Sequence, residues 1–431
     1  DDVLGAKTIN GKKYAFDTEG RMLYGWVSGG ERETGDDAWM EADYYFGDEN
    51  DGAMAQGWTQ ISIIDENSAE DLQPGDEFWD EDQDRWFYFL TSGKKVRPSD
   101  EDIAENDQAI KTRPIDGRRY GFDQYGRMIG NWYSEASVGI ASQGDADYSH
   151  SFMYFNSPED GARVTDDWFR VVPGYYLDEE KYDDGEIYWY HSDGKGKLYV
   201  NTIETIKGKK YAFDEYGRMI DGLALIQMKK EDGRIKSSDI EKRFKADGDY
   251  NYETEDDFNE SVTRLAKGIT SGEYRFYYFG DAEDGSMKTG KQTVEIDGDS
   301  FTFKFKDSTS SKGAGIHGKD DDKLYMGGKL LEADSDEKYQ AVLYVELDEV
   351  KDADGEVEQE EAIYMSVLDV DDFLGYFCGE AQLTDNGKVV TAENEDKADA
   401  ETYFVKEGED LYAAVEEYTG IDFLISGEDE D

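Results

Sequence analysis

The stretch Gly11–Trp26 reads GKKYAFDTEGRMLYGW, and close copies of it return at Gly117–Trp132 and Gly208–Leu223. The copies read GRRYGFDQYGRMIGNW and GKKYAFDEYGRMIDGL, and they begin 106 and 91 residues after the copy before them. Such self-similarity is typical of repeat proteins, in which one small unit recurs and each unit packs on its neighbours. The sequence therefore predicts a repeat architecture.

Each copy has the local pattern of a short β-hairpin. Tyr14 and Phe16 alternate with small or polar residues, which predicts a strand with two different faces. Asp17–Gly20 predicts a turn, because Asp bonds its own backbone and Gly accepts a positive φ. Met22 is then expected to begin the return strand.

A looser form of the pattern fills the segments between and after the copies. It consists of an aromatic triplet, a turn rich in Asp and Gly, and in several places a Met followed by Gly-Trp. It predicts further hairpins at 43–58, 85–96, 152–168, 186–200 and 274–290, and strands or hairpin halves at 300–306, 323–331, 339–347, 362–368, 376–390 and 402–406.

The order of the hairpins divides the chain into four parts. Residues 1–110, 111–204 and 205–320 are predicted to be three repeat super-units, and 321–431 to hold degenerate hairpin repeats and an acidic tail. A hairpin by itself is marginally stable in water, so the hairpins are expected to stack and bury their aromatic faces. We predict an all-β protein, an elongated solenoid of stacked β-hairpins with irregular insertions and a few short helices.

Polar insertions separate some of the hairpins. One is the acidic segment 65–84, and the longest is Lys229–Thr270. Short helices are predicted within the longest one at Asp239–Phe244 and Asp257–Ala266, and near the end of the chain at Leu411–Tyr418. The insertions are expected to project to one side of the solenoid.

The charge balance limits the partners of the chain. There are 46 Lys and Arg against 103 Asp and Glu, which gives a net charge of −57. This excludes nucleic acid, whose recognition needs clustered positive charge, and anionic membranes are repelled. No apolar run is long enough to span a bilayer, so membrane insertion is not expected. The chain begins at Asp1 without Met, which favours a mature or trimmed fragment.

Catalytic and metal-binding patterns are not indicated. His150, His191 and His317 are the only histidines, and none lies in a catalytic motif. Cys378 is alone, so neither a disulfide framework nor a thiolate metal site can form. The acidic run Asp352–Glu356 is not followed by the Gly and Glu that a calcium loop requires. We predict no enzyme activity, no cofactor and no metal.

The recurring order of an aromatic triplet ending in Phe, then Asp-x-x-Gly, Met and Gly-Trp resembles the choline-binding and cell-wall-binding repeats of Gram-positive surface proteins. Glucan-binding repeats are similar. The resemblance implies a β-hairpin solenoid of a secreted or cell-surface protein. It also implies non-covalent attachment to cell-wall polymer, through a choline-like group, or to glycan, with no catalysis by the repeats.

The resemblance also implies where a ligand would bind. In the family, a cage between successive hairpins is formed by the Gly-Trp tryptophan, the tryptophan that opens the next triplet, and a Tyr or Met. Aromatic faces attract a quaternary ammonium group. Carried over to this sequence, Trp58 and Trp86 form the best pair, with Met128 as a third wall. The other candidate walls are Trp26, Trp132, Trp168 and Trp189.

Several positions depart from the family pattern. The tryptophan that opens the triplet is replaced by charged residues in four hairpins, and Leu223 stands where other copies have Trp. After Trp168 the opening position is predicted to be Ile187, with Trp189 displaced to a neighbouring position. Choline is therefore expected at one or two sites. The charged replacements are Lys13, Asp43, Arg119 and Lys210.

Two other interpretations follow from the same residues. The tryptophans could serve only to stack one hairpin on the next. Alternatively, the solenoid could be a structural spacer or adhesin, whose insertions, above all Lys229–Thr270, bind a host or bacterial protein.

Overall fold

The fold is that of a computed structural model, which describes residues 6–64, 82–136, 139–321, 323–332, 339–347, 349–351, 357–359, 361–368, 381–384 and 389–390. The chain divides into two compact units. The first comprises Asp1–Val200 and Glu215–Arg218, and the second comprises Asn201–Asp214 and Met219–Asp431. Short antiparallel strands dominate both units, which confirms the all-β class. The division into three super-units and a degenerate region stays a prediction.

The first unit is built from two- and three-stranded antiparallel sheets. Its strands pair as β1–β2, β4–β3–β5, β6–β7, β8–β9, β10–β11 and β12–β13. The strands are β1 (Lys7–Ile9), β2 (Lys12–Tyr14), β3 (Trp26–Ser28), β4 (Glu31–Arg32), β5 (Tyr44–Tyr45), β6 (Gly57–Ile64), β7 (Asp82–Phe89), β8 (Lys111–Ile115), β9 (Arg118–Phe122), β10 (Trp132–Ser134), β11 (Phe152–Tyr154), β12 (Trp168–Val171) and β13 (Tyr188–His191). Short helices connect them: α1 (Ala38–Glu41), α2 (Asp100–Glu105), α3 (Ala146–His150) and α4 (Glu179–Asp183).

The strand that opens the first copy of the repeat pairs with the strand before it. β1 and β2 are joined at Asn10 and Gly11, whose φ values of 50° and 83° form the tight turn typical of two-residue hairpins. The expected return strand at Met22 is reduced to a single bridge between Phe16 and Met22. The hairpin predicted around Asp17–Gly20 is therefore present in a very short form, with the Leu23 N–H also donating to the carbonyl oxygen of Ala15 at 2.8 Å.

The turn itself is confirmed. The carboxylate of Asp17 accepts hydrogen bonds from the backbone N–H groups of Glu19 and Arg21, at 2.9 and 2.8 Å. Asp123 and Asp193 accept equivalent bonds in later hairpins. Asp at the first turn position therefore satisfies backbone donors within the turn.

A repeated contact joins successive hairpins. A Cβ atom added to Gly52, Gly93 or Gly161 would lie 2.5, 2.3 or 2.3 Å from the sulfur of the methionine in the hairpin before it. Those methionines are Met22, Met54 and Met128. Because each turn glycine has no side chain, it leaves a space that the methionine of the preceding hairpin fills. Lys95 and Arg163 take the methionine position in two hairpins and pack over Gly126 and Gly196.

The second unit has larger sheets. Two are five-stranded, in the orders β15–β14–β17–β16–β18 and β19–β20–β23–β22–β21; the others are β27–β24–β28–β29 and β25–β26. The strands are β14 (Thr202–Ile206), β15 (Lys209–Phe213), β16 (Leu223–Glu231), β17 (Arg234–Phe244), β18 (Tyr274–Tyr278), β19 (Gly290–Ile296), β20 (Asp299–Phe305), β21 (Gly318–Asp320), β22 (Lys323–Met326), β23 (Lys329–Leu330), β24 (Tyr339–Leu347), β25 (Val350–Lys351), β26 (Val357–Gln359), β27 (Ala362–Leu368), β28 (Ala381–Thr384) and β29 (Val389–Val390). The helices are α5 (Glu255–Arg264) and α6 (Ala266–Ser271).

The longest insertion, Lys229–Thr270, belongs to the core of the second unit. Phe258 of α5 is fully buried and contacts the rings of Phe276 and Phe303, at 4.8 and 5.6 Å. The predicted helix at Asp257–Ala266 is confirmed within one or two residues, because α5 begins after the capping residue Thr254. The expectation that this insertion projects from the fold is wrong.

The helix predicted at Asp239–Phe244 is wrong, because these residues lie in β17. Ile240 and Phe244 are both buried and four residues apart, which is also the spacing of one helix face. Here the two side chains pack into different core clusters, and the pairing of β17 with β16 shifts register near Met228. The two buried side chains of β17 thus lie four residues apart in a strand with irregular pairing, a spacing that imitates a helical pattern.

The strands predicted at 300–306, 323–331, 339–347 and 362–368 are all present in the second unit. Several predicted features lie outside the described residues: most of the insertion 65–84, the run Asp352–Glu356, Cys378, the strand at 402–406 and the helix at Leu411–Tyr418. No helix in the described part of the chain is long and apolar enough to cross a lipid bilayer.

Candidate functional site

Trp58 and Trp86 face each other across the hairpin formed by β6 and β7. Their ring centroids are 6.4 Å apart and the rings are perpendicular, at 89°. Trp58 also lies 4.8 Å from Tyr120 and 5.8 Å from Phe122, which belong to β9 of the next hairpin. Both tryptophans are half-buried. They therefore form an aromatic site between two successive hairpins.

Met128 completes this group. Its backbone N–H donates to the carbonyl oxygen of Trp86 at 2.8 Å, and its side chain packs with Trp58 against the cluster around Phe122. The structure thus brings together the three residues predicted as one cage. Tyr120 is a fourth member of this aromatic group, which the sequence analysis missed. Its signal was visible, since the family rule allows a Tyr as a wall and Tyr120 directly follows Arg119, which stands at the triplet-opening position.

A cavity of about 190 Å³ adjoins this aromatic group, and Trp86, Met128 and Trp132 line it. The indole N–H of Trp86 donates to the carboxylate of Glu159 at 3.2 Å. Asp84 also lines the cavity. Aromatic faces beside carboxylates suit a small organic cation, and carboxylates also accept hydrogen bonds from sugar hydroxyls.

Two arginines share the lining of this cavity. The Nε of Arg127 is 2.6 Å from the carboxylate of Asp123, so its charge is paired. The guanidinium of Arg85 donates to the side-chain oxygen of Gln83 at 2.7 Å. These contacts hold the arginines on protein partners, and one oxygen of Glu159 is already bonded to the Trp86 indole.

Trp168 and Trp189 form a second pair with the same geometry. Their centroids are 6.2 Å apart at 90°. Trp189 lies opposite Arg170 in the β12–β13 register, as Trp86 lies opposite Gln60. The predicted displacement of Trp189, with Ile187 in the opening position, is therefore wrong, because pairing places Trp189 in the opening position. The guanidinium of Arg170 lies 5.7 Å from the Trp189 ring.

Trp26 and Trp132 are buried, with 9% and 7% of their surface exposed. Trp26 contacts Tyr45 and Phe87 at 4.9 and 5.3 Å. The indole N–H of Trp132 donates to the carbonyl oxygen of Val172 at 2.8 Å. Both are packed and bonded within the protein, which favours their role in stacking hairpins over a role in ligand binding.

The histidines do not form a catalytic group. Nδ1 of His150 is 2.6 Å from the carbonyl oxygen of Leu198, and His191 packs against Trp168 at 4.9 Å. In the second unit, Nε2 of His317 is 2.8 Å from the carbonyl oxygen of Ile363, and burial lowers its pKa to about 4. Within the described ranges, no group of three or more His, Cys, Asp and Glu side chains is placed to hold a metal ion.

Comparisons with known proteins return matches among solved structures. No family model and no curated protein matches the sequence. Choline-binding protein F from Streptococcus pneumoniae, solved in the presence of a peptidoglycan analogue, is 17% identical with a TM-score of 0.36, covering 90% of this chain and 100% of that protein. The modular autolysin LytC from Streptococcus pneumoniae is 15% identical with a TM-score of 0.33, covering 79% of this chain and 50% of that protein. The choline-binding domain of Spr1274 from Streptococcus pneumoniae is 20% identical with a TM-score of 0.17, covering 26% of this chain and 95% of that domain. The chain is similar to choline-binding proteins, the family that its repeat motifs resemble.

Proposed function

We propose that this chain is a non-catalytic binding region of a secreted or cell-surface protein, and that it holds that protein to cell-wall polymer or glycan. The observation that carries the proposal is the group formed by Trp58, Trp86, Tyr120 and Met128 between two hairpins. The group is half-buried rather than enclosed in a core, so its aromatic faces can reach a ligand.

A choline-like cation is the ligand that this group suits best. An ammonium group over an aromatic face gains about 0.5–2 kcal/mol, and the carboxylates of Asp84 and Glu159 add attraction. Two or three such contacts give about 4 kcal/mol, which corresponds to a dissociation constant near 1 mM. Weak sites of this kind hold a polymer firmly when several repeats bind it at once. The net charge of −57 also favours the approach of a cation.

Substitution of Trp86 tests the site directly. The eight tryptophans can be labelled as 5-fluorotryptophan, which gives one fluorine NMR signal for each residue. We expect choline to shift the signals of Trp58 and Trp86 with millimolar affinity, and Trp86→Ala to weaken binding at least tenfold because one ring face is lost. The matched control is Trp189→Ala, which removes the equivalent ring from the pair in which Arg170 already covers the face. It should leave choline affinity unchanged.

Isolated cell walls give the second readout. Wild-type chain should be retained on them and released by excess choline, and Trp86→Ala should be retained less. Absence of a choline shift at Trp58 and Trp86, together with no retention on walls or on glycan, would overturn the proposal.

The alternative function, capture of a host or bacterial protein by the insertions, loses its main support. The segment Lys229–Thr270 contributes β17 and α5 to the core of the second unit. Its deletion would therefore remove the core rather than a projecting contact surface.

A further inference from the structure

A second cavity in the first unit, of about 480 Å³, is lined by three arginines. They are Arg118, Arg119 and Arg163, and the ring of Trp168 lies at the same cavity. Asp167 is the only carboxylate among the described residues that line it. The chain as a whole has more than twice as many acids as bases, so this local excess of positive charge reverses its general balance.

The fold places the arginines of two neighbouring hairpins side by side. The backbone N–H of Arg163 donates to the carbonyl oxygen of Arg119 at 2.7 Å, and Tyr120 and Ala162 form a bridge next to them. Arg163 stands at the position that Met22, Met54 and Met128 occupy in other hairpins. In other hairpins a methionine at this position packs over a turn glycine. Here the half-buried side chain of Arg163 packs over Gly196 in the same way.

Two of the three arginines are in no ion pair within the described part of the chain, and only the more distant carboxylates of Asp193 and Glu135 act on the charge of Arg163. Arg118 is paired with Asp160, at 2.6 Å. Arg119 and Arg163 form no ion pair with any residue in the described ranges, and the nearest partner of the Arg163 Nε is the hydroxyl of Thr165, at 3.4 Å. Burial and the charge of Arg119 lower the pKa of Arg163. Two like charges held together in this way are stabilised by an anion between them.

We propose that this cavity binds a sugar that carries an anionic group, either a phosphate or a carboxylate. Guanidinium groups recognise such oxyanions with paired hydrogen bonds, and an indole ring offers a flat apolar face to a sugar ring. The inference rests on the proposed function, because it assigns a second ligand class to the same repeat region. The arginines would repel a cation. The Trp168 cavity would therefore bind anionic sugars, and the Trp58–Trp86 site would bind a choline-like cation.

The experiment uses the whole chain labelled with 5-fluorotryptophan, at 0.15 M salt. Glucose 6-phosphate, glucuronate, glucose and inorganic phosphate are titrated separately, and the signal of Trp168 is assigned from Trp168→Phe. We expect both anionic sugars to shift this signal and glucose to shift it at least tenfold more weakly. Arg163→Met restores the residue of other hairpins, so the variant should fold, and it should weaken both anionic sugars at least tenfold. The matched control Arg32→Met changes an arginine that stacks on Tyr24, away from the cavity.

Each other outcome has a defined meaning. No shift of Trp168 with either anionic sugar, or a shift that Arg163→Met leaves unchanged, would overturn the proposal. Equal affinity for glucose and glucose 6-phosphate would overturn the role of the arginines. Equal affinity for inorganic phosphate and glucose 6-phosphate would overturn the role of Trp168. Choline binding at Trp58 and Trp86 is read from separate signals, so its failure is distinguishable from failure at Trp168.

Discussion

Replacement of Gly161 by alanine is expected to lower the free energy of unfolding of the first unit by about 2–4 kcal/mol. Gly161 has a φ of 61°, a conformation that costs an alanine about 1–2 kcal/mol. A Cβ there would lie 2.3 Å from the sulfur and 2.4 Å from the Cε of Met128; because the end of this side chain is flexible, the overpacking is expected to cost about 1–2 kcal/mol more. Urea unfolding followed by circular dichroism measures the loss.

The control for this substitution separates the cost of backbone strain from the cost of the clash with Met128. Gly57 has a φ of 76° and no atom within 4 Å of an added Cβ, so Gly57→Ala carries the strain alone. In a Met128→Ala background, the cost of Gly161→Ala should fall to that of Gly57→Ala, because the clash is gone. Equal costs for the two glycines in the wild-type background would contradict the stacking role of the methionine.

These contacts show which part of the fold a single sequence can reveal. The turns were predictable, because Asp and Gly at fixed offsets have a local physical reason. The contact of Met128 with Gly161 was not, since it joins different hairpins and depends on which hairpin follows which in space. The paired turn at Asn10 and Gly11 had a known signal, Asn-Gly, which was hidden because the recurring segment begins at Gly11.

The candidate site was predictable to a similar extent. The repeat pattern alone predicted that Trp58, Trp86 and Met128 belong to one site, without any geometric information. It assigned Trp189 to the wrong register, because the spacing after Trp168 differs from that in the earlier hairpins, and pairing of β12 with β13 compensates for the difference. The arginine cavity was not foreseen, because Arg119 was considered only as a residue that would repel choline.

Lys95 provides the second large effect, because it carries an ammonium group at the buried methionine position. It is 2% exposed, and its Nζ donates to the carbonyl oxygen of Trp39 at 2.5 Å. It forms no ion pair with any residue in the described ranges, and the ring centroid of Trp26 lies 5.2 Å from its Nζ. Burial lowers the pKa of Lys95 from 10.5 to about 7.

This shift makes the stability of the first unit depend on pH. Because the folded pKa of Lys95 is below the unfolded one, the unfolded chain binds one more proton between pH 7 and 10.5, and stability rises with pH in that window. Below about pH 7 both states are protonated, and the full cost of burying the charge is present. A shift of this size corresponds to on the order of 4–5 kcal/mol across the window.

Lys95→Met is therefore expected to change the sign of its effect with pH. At pH 6 the variant should be more stable by about 2–3 kcal/mol, because the buried charge is removed while the bond to Trp39 is lost. Near pH 10 it should be less stable by about 1–2 kcal/mol, since the neutral amine of the wild-type chain still donates that bond without the cost of a charge. Urea unfolding of both proteins at pH 6, 7, 8, 9 and 10 measures the difference.

Lys94→Met, at an exposed neighbour that lies 3.8 Å from Asp43, should show a small difference that varies little from pH 6 to 9. A gap between Lys95→Met and wild type that stays constant from pH 6 to 10 would mean that Lys95 is not buried as a titrating charge.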